Sequence, residues 1–329
     1  MKPSLTVLGA GVLALLVLLA ISILSGSVWL TPSQALHAFA APSTDLARLI
    51  VIDLRLPRAL LALLIGASLG LSGAVLQGLL RNPLADPGLL GVTAGASLGA
   101  VIAIYFGLTA VSAYAAPIFG LTGALAATAL TFIFGRGGTL SMILAGAAVS
   151  GLCGAGLSLA LNLAPNPSGA YEITTWLMGS LTDRSWDHVM LAAPFILAGL
   201  LILAPTGRAL DALSLGETQA ESLGVDLDRL RLQVLIGVAL CVGGGASVAG
   251  AIAFVGLIAP HLVRPFVGHQ PSRTLLPSAL FGAVLLLAAD VGSRLLRYNG
   301  AEIKLGVFTA LVGTPFFFWL IVRLRRLSP

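Results

Sequence analysis

Charged residues are rare in this chain, and the uncharged runs between them set its pattern. Residues 59–80, between Arg58 and Arg81, form one run of 22. Residues 87–135 run for 49, enough for two membrane crossings and a tight turn near Gly107–Ala115. Residues 3–44 carry an apolar part at about 5–25, and 137–171 hold one span plus an uncharged loop. Further runs cover 188–207, 232–263, 274–289 and 305–322. A helix needs roughly 20 apolar residues to cross a bilayer, so 232–263 is the ambiguous stretch. Arg229 and Arg231 flank one end of it, Arg264 and Arg273 the other. Cytoplasmic loops collect Arg and Lys, so both ends belong on one side and the chain crosses twice there. The pattern predicts a full helix at about 229–253 and a short, Pro-interrupted one at about 256–267. The outcome is an all-α polytopic membrane protein of about ten transmembrane helices, both termini cytoplasmic, with 1–329 as a single transmembrane domain.

Three polar segments interrupt this pattern. "RNPLADPGLLGVTAGASLGA" (81–100) holds Pro83 and Pro87, which cannot continue a helix, and reads as a cytoplasmic turn with Arg81, Asn82 and Asp86 in water. Gln77 lies one turn earlier, at membrane depth, where it either bonds a neighbouring helix or lines a wet path. "ALSLGETQAESLGVDLDRLR" (212–231) reads as a short cytoplasmic helix. Ser214 is its expected cap, Glu217 suits its positive end, and Gly224 supplies a stop. A helix bounded at both ends suits docking of a soluble partner better than a solvated loop does. "APNPSGAYEITTWLMGSLTDRSWDH" (164–188) lies outside, with Trp176 and Trp186 as interface anchors and a short helix within "AYEITTWLMGS".

Composition sharpens the class. The chain is 57% hydrophobic and 9% charged, with mean hydropathy +1.01. No soluble core absorbs that much apolar surface, so lipid is part of the solvent. The net charge of +5 is carried by arginines dispersed at the ends of apolar runs, with only Lys2 and Lys304 as lysines. That dispersion is a membrane-topology signal and gives no nucleic-acid surface. Cys153 and Cys241 sit in apolar runs and read as packing residues. Met1 to Ser27 has features of a signal peptide, but its apolar stretch exceeds a usual h-region, and it is read as an uncleaved first helix.

The candidate chemistry is sparse. No G-x-x-x-x-G-K-[ST] occurs, so the chain has no P-loop of its own. The four histidines (37, 188, 261, 269) share no metal spacing, and no cofactor is expected on this chain. Asp290 and Arg294, four apart on one helix face, read as a local ion pair; an intramembrane acid is also a candidate coupling carboxylate of an ion-driven transporter. Ser72 in "GLSG" resembles an intramembrane protease nucleophile, with His261 as the one available base. Small residues crowd several spans: Gly66 and Gly70 with Gly73 close behind, Gly91, Gly95 and Gly99, and Gly243, Gly244 and Gly245. They serve close backbone packing or line a pore.

In order along 45–325, "RLPRALLALLIGASLGLSGAVLQGLLRNPLADPGLLGVTAGASLGA", "WLMGS", "LGETQAESLGVD", "GAIAFVGLIAPHLVR", "LLPSALFGAVLLLAADVGSR" and "GVFTALVGTPFFFWL" resemble the FecCD-type permeases. These are membrane subunits of bacterial importers for ferric siderophores, haem and vitamin B12. The resemblance implies the type II ABC importer permease fold in the inner membrane, a second permease subunit, two cytoplasmic ATPase subunits that hold ATP and Mg, and a periplasmic substrate-binding protein. It implies that coupling helices within 206–228, with Leu215, Gly216, Glu217, Ala220, Leu223, Gly224 and Val225, seat in a cleft of the ATPase. It implies that Arg55, Arg58 and Arg294 receive acidic residues of the binding protein, and that Thr139, Leu140 and Ser141, with Gln77 and Asn82, lie where the path narrows. One departure stands out. The family's Pro-x-Glu-(Leu/Ile)-Pro-(Val/Ile)-Gly reads "GAEIKLG" here, with Gly300 and Lys304 in place of the prolines.

Overall fold

The computed structural model describes residues 3–42, 44–164, 166–298 and 301–327. Among them, seven helices are long and apolar enough to cross a membrane, and three shorter apolar helices accompany them. In chain order these are α1 (Pro3–Leu24), α2 (Leu46–Leu79), α3 (Val92–Tyr105), α4 (Ala115–Phe134) and α5 (Thr139–Asn162). After them come α6 (Trp186–Leu203), α7 (Leu227–Ala249), α8 (Val255–Val267), α9 (Pro271–Leu295) and α10 (Leu305–Leu327). The ambiguous stretch resolves as α7 followed by short α8, which holds Pro260 and Pro265. A two-residue antiparallel ribbon, Arg297–Tyr298 against Ala301–Glu302, precedes α10.

Two boundaries differ from the charge-based expectation. The second span begins at Leu46, capped by Asp45, and passes through a π turn at Leu49–Arg55 before continuing to Leu79. The ninth extends to Leu295. A charge ends a membrane helix only when it must reach water. Here Arg55, Arg58, Asp290 and Arg294 find partners inside the protein, so the helices run on past them.

Backbone contact holds the bundle together. Helices α2 and α9 run antiparallel in one register: Gly66 lies against Gly282, Gly70 against Ser278, and Arg58 against Asp290. Each backward step along one helix matches a forward step along the other. A Cβ on Gly70 would strike the Ser278 carbonyl, so this face has room for hydrogen only. The α3–α4 pair repeats the device, with Gly95 on Gly123 and Gly99 on Phe119. Gly243, Gly244 and Gly245 face Ala124, Phe195 and Ile65 on three neighbouring helices. They are packing residues, which answers the pore alternative for that cluster. In lipid the hydrophobic effect does little between helices, so close van der Waals fit carries their association. Cys153 and Cys241 are buried, free thiols.

Candidate functional site

The predicted residues fall at the two ends of the bundle. At one end, the helix Glu217–Ser222 stands between Gly207–Leu213 and α7. Its entry differs from the expected one. Ser214 closes the preceding helix, donating its hydroxyl to the Asp211 carbonyl, and Gly216 occupies the N-cap with φ +124°. That backbone geometry suits glycine and leaves no place for a Ser214 cap. At the far end Gly224, with φ +86°, reverses the chain, and Asp226 caps α7 through the Arg229 N–H at 2.9 Å.

The short helix has an inner and an outer side. Ala220 is fully buried against the core. Glu217 accepts from the Thr139 hydroxyl at 3.0 Å and pairs with Arg231 at 3.3 Å. One carboxylate therefore ties the short helix both to the first residue of α5 and to α7. Arg231 also meets Asp228 at 3.2 Å. On the outer side Leu215 and Leu223 are each 65% exposed, with Gly224 beside them and Val225 half-buried. Two bare leucines next to Glu221 and Asp226 form an apolar knob with an acidic border.

The other predicted residues at this end divide by partner. Leu140 is 70% exposed, and Ser141 is half-buried on the next position. Asn82 is half-buried, its Oδ1 accepting the Leu84 N–H at 2.9 Å within the turn after α2. Gln77 is buried. Its Nε2 donates to the Ala85 and Leu257 carbonyls at 3.3 and 3.4 Å, and its Oε1 accepts from Arg264. Of the two alternatives for Gln77, these contacts match the interhelical bond. Asp86 accepts the Gly88 N–H at 2.9 Å; burial pushes its carboxyl above the usual range, with that N–H opposing the shift.

At the opposite end, Arg55, Arg58 and Arg294 border one cavity of about 210 Å³ with Thr182, Arg184 and Glu302. All three have intramolecular partners. Arg55 donates to the carbonyls of Ile23, at 2.6 Å, and Val28. Arg58 bridges Asp290 at 2.8 Å and Glu302 at 3.0 Å. Arg294 pairs with Asp290 at 3.1 Å, as the spacing predicts, and donates to the Ser22 carbonyl and hydroxyl and to the Ser25 carbonyl. Asp290 has no exposed surface, and Thr182 donates to Glu302 at 3.2 Å. Arg58 keeps 12% of its side chain in the open. The network joins α1, α2, α9 and the segment before α10 around one carboxylate.

Three of these partners escaped the sequence reading. Arg231 lies fourteen residues from Glu217, and Arg264 lies far along the chain from Gln77, so no helical period links either pair. Glu302 belongs to "GAEIKLG", where its position as the acid in a segment bounded by Arg297 and Lys304 was the available signal.

The chain matches the model of the FecCD transport family over residues 14–323. It is 40% identical over 308 residues to the vitamin B12 import system permease protein BtuC of Vibrio cholerae, covering 92% of this chain and 89% of that protein. It is 39% identical over 284 residues to the hemin transport system permease protein HmuU of Yersinia pestis, covering 84% of each. Among solved structures it superposes on a metal-chelate type ABC transporter in an inward-facing conformation with TM-score 0.88 and 34% identity, covering 97% of this chain and 99% of the other.

Proposed function

This chain belongs to the FecCD transport family, and from that premise we propose that it forms half of the membrane path of an importer for a metal–organic chelate, with a ferric siderophore as cargo. It is a multi-pass ABC importer permease. Haem and vitamin B12 pass through the same kind of machinery in its relatives, and they are the alternative cargoes. All three are large chelates presented already assembled. Such a cargo calls for a corridor and an engine, and a resident metal site in the permease adds nothing to it.

The observation that carries the reading is the apolar knob. Leu215 and Leu223 stand bare on a helix whose opposite side is fixed by Ala220 and by the Glu217 link to Thr139 and Arg231. Force applied to that knob reaches α5 through one hydrogen bond and α7 through one ion pair. A cytoplasmic ATPase dimer that carries ATP and Mg supplies the force, and the permease itself is non-catalytic. This orientation puts the knob and both termini inside and the Arg58 cavity outside, in the bacterial inner membrane. There Arg55, Arg58 and Arg294 meet acidic residues of a periplasmic binding protein. Because Arg58 and Arg294 begin in internal carboxylate pairs and Arg55 on backbone carbonyls, docking exchanges one partner for another and sets orientation and association rate more than affinity.

A second copy of the chain completes the corridor as a homodimer. Exposed Leu140, Leu144, Ala148, Gly151 and Ala155 line one side of α5 and give that copy a small-residue surface to approach. The test is reconstitution with the ATPase and binding protein and measurement of ferric siderophore, haem and cobalamin uptake. Uptake of the siderophore that requires ATP is expected. Uptake that persists without the ATPase overturns the importer reading, and selective uptake of haem or cobalamin reassigns the cargo.

A further inference from the structure

Two arginines and two histidines share a cavity at the knob end, bordered by Ser214 of the coupling segment. A cavity of about 560 Å³ opens between the end of α2, the last turns of α8, the start of α9 and α10. Arg81, His261, Arg264 and His269 line it, with Gln77 and Leu320 among its other walls. No Asp or Glu lines it. Asp211, on the segment that leads to Ser214, is engaged by Gln270 at 2.7 Å and by Ser272 at 2.8 and 2.6 Å.

Among the described residues, neither Arg81 nor Arg264 has an ion pair. This sets them apart from Arg58, Arg231 and Arg294, each of which meets a carboxylate. Arg264 is half-buried, and its guanidinium donates to the neutral Gln77 amide. Arg81 is exposed at the cavity rim, at φ +47°, where the backbone turns out of α2. A guanidinium drawn out of water gains most from an anion that accepts two of its donors.

Depth identifies the anion's source. The cavity lies where α2 ends at Leu79, α8 ends at Val267 and α9 begins at Pro271. That is headgroup level in either orientation of the chain. Ala74, Pro265 and Leu320 add apolar wall beside the arginines. A basic pocket between transmembrane helices at this level suits an acidic phospholipid. We propose that this cavity binds a phosphate-ester anion carried by an acidic phospholipid, with Arg264 and Arg81 on the phosphate. The lipid would bridge α2, α8 and α10, the first of which packs against the Gly207–Leu213 helix of the coupling segment.

The test uses the full chain in mild detergent, followed by native mass spectrometry with added cardiolipin, phosphatidylglycerol or phosphatidylcholine, and separately with glycerol 3-phosphate. Wild type should retain cardiolipin and phosphatidylglycerol and release phosphatidylcholine. Losing two arginines near a membrane surface should weaken acidic-lipid binding roughly thirtyfold in the Arg81→Gln/Arg264→Gln variant. Arg264→Lys, which keeps the charge, should restore much of it. Arg81→Gln alone alters an exposed side chain and serves as the well-folded comparison. Equal lipid retention by wild type and the double variant overturns the site. Glycerol 3-phosphate binding as tightly as the lipids overturns the lipid source. Equal retention of acidic and zwitterionic lipid overturns the acidic-lipid preference.

Discussion

Asp290 is a fully buried carboxylate with a guanidinium on either side. Removing it leaves Arg58 with Glu302 alone and takes from Arg294 its carboxylate, all in a low-dielectric interior. Breaking a buried ion pair from one side costs about 3–5 kcal/mol. Asp290→Ala should therefore lower thermal stability in detergent sharply, and Glu302→Gln, at a more open position, should lower it less. Equal effects would show that Arg58 does not depend on the buried partner. Asp86 makes the opposite case. Its carboxyl is held above the ordinary range by burial, so its folded value exceeds its unfolded one. The stability linked to that shift is complete below the unfolded value, near 3.9, and is lost as pH rises through the folded value. Holding Asp86 ionised is thus a burden on the fold. Asp86→Asn, which keeps an oxygen for the Gly88 N–H, should match or exceed wild-type stability at pH 7. The advantage should vanish near pH 4 when melting is followed across that range.

At the scale of elements, one bond pattern distinguishes an anchored helix from a loop. Glu217–Ser222 is only six residues long and would not hold as an isolated helix. Ala220, Gly216 and the Glu217 contacts fix it, which leaves the Leu223 side chain exposed. Leu223→Asp should leave thermal stability within about 0.5 kcal/mol of wild type, as expected for an exposed site, while abolishing ATP-driven uptake and leaving ATP hydrolysis by the assembled complex. Preserved uptake would remove the coupling role from this knob. Glu217→Arg is less clean, since it sets a cation against Arg231 and breaks the Thr139 bond. Along the α2–α9 contact, Gly70→Val forces side-chain atoms into the Ser278 backbone. Overpacking of that kind costs about 1–3 kcal/mol or more, and the yield of folded protein after detergent extraction should fall accordingly.

For the whole molecule, the prediction is mechanical. A rigid pair of α2 and α9 carries the Arg58–Asp290–Arg294 network at one end and Gln77 with the coupling segment at the other. A disturbance at the knob enters through α5 and α7, to which Glu217 is tied, and meets this pair through the Gly207–Leu213 helix. With the chain's 33.5 kDa protomer mass, a purified transporter weighed with its partners should contain two copies of this chain; a single copy per complex, or one copy beside a different permease, would reject the homodimer. Much of the architecture was legible beforehand because it depends on local quantities. Apolar run length reported the ten segments, Pro83 and Pro87 reported the turn after α2, and the paired arginines around 232–263 reported that it folds as two helices. The positions of Arg55, Arg58 and Arg294 at one end were legible too. Their internal partners were not, apart from Asp290 for Arg294, four residues away on the same helix.

The sequence by itself determined what lipid demands: where helices form, which of them are apolar enough for a bilayer, and which segment stays polar. Those features follow from transfer energies and hydrogen-bond capacity summed over neighbouring residues. Tertiary structure alone decided that Glu217 grips Thr139 and Arg231, that Gln77 receives Arg264, and that Glu302 reaches Arg58. Each of those contacts depends on how two helices are rotated about their axes. One residue of slip turns a side chain by about 100°. The rotation is set by glycine faces such as Gly66 and Gly70 meeting a partner more than two hundred residues away, a match that no local pattern encodes.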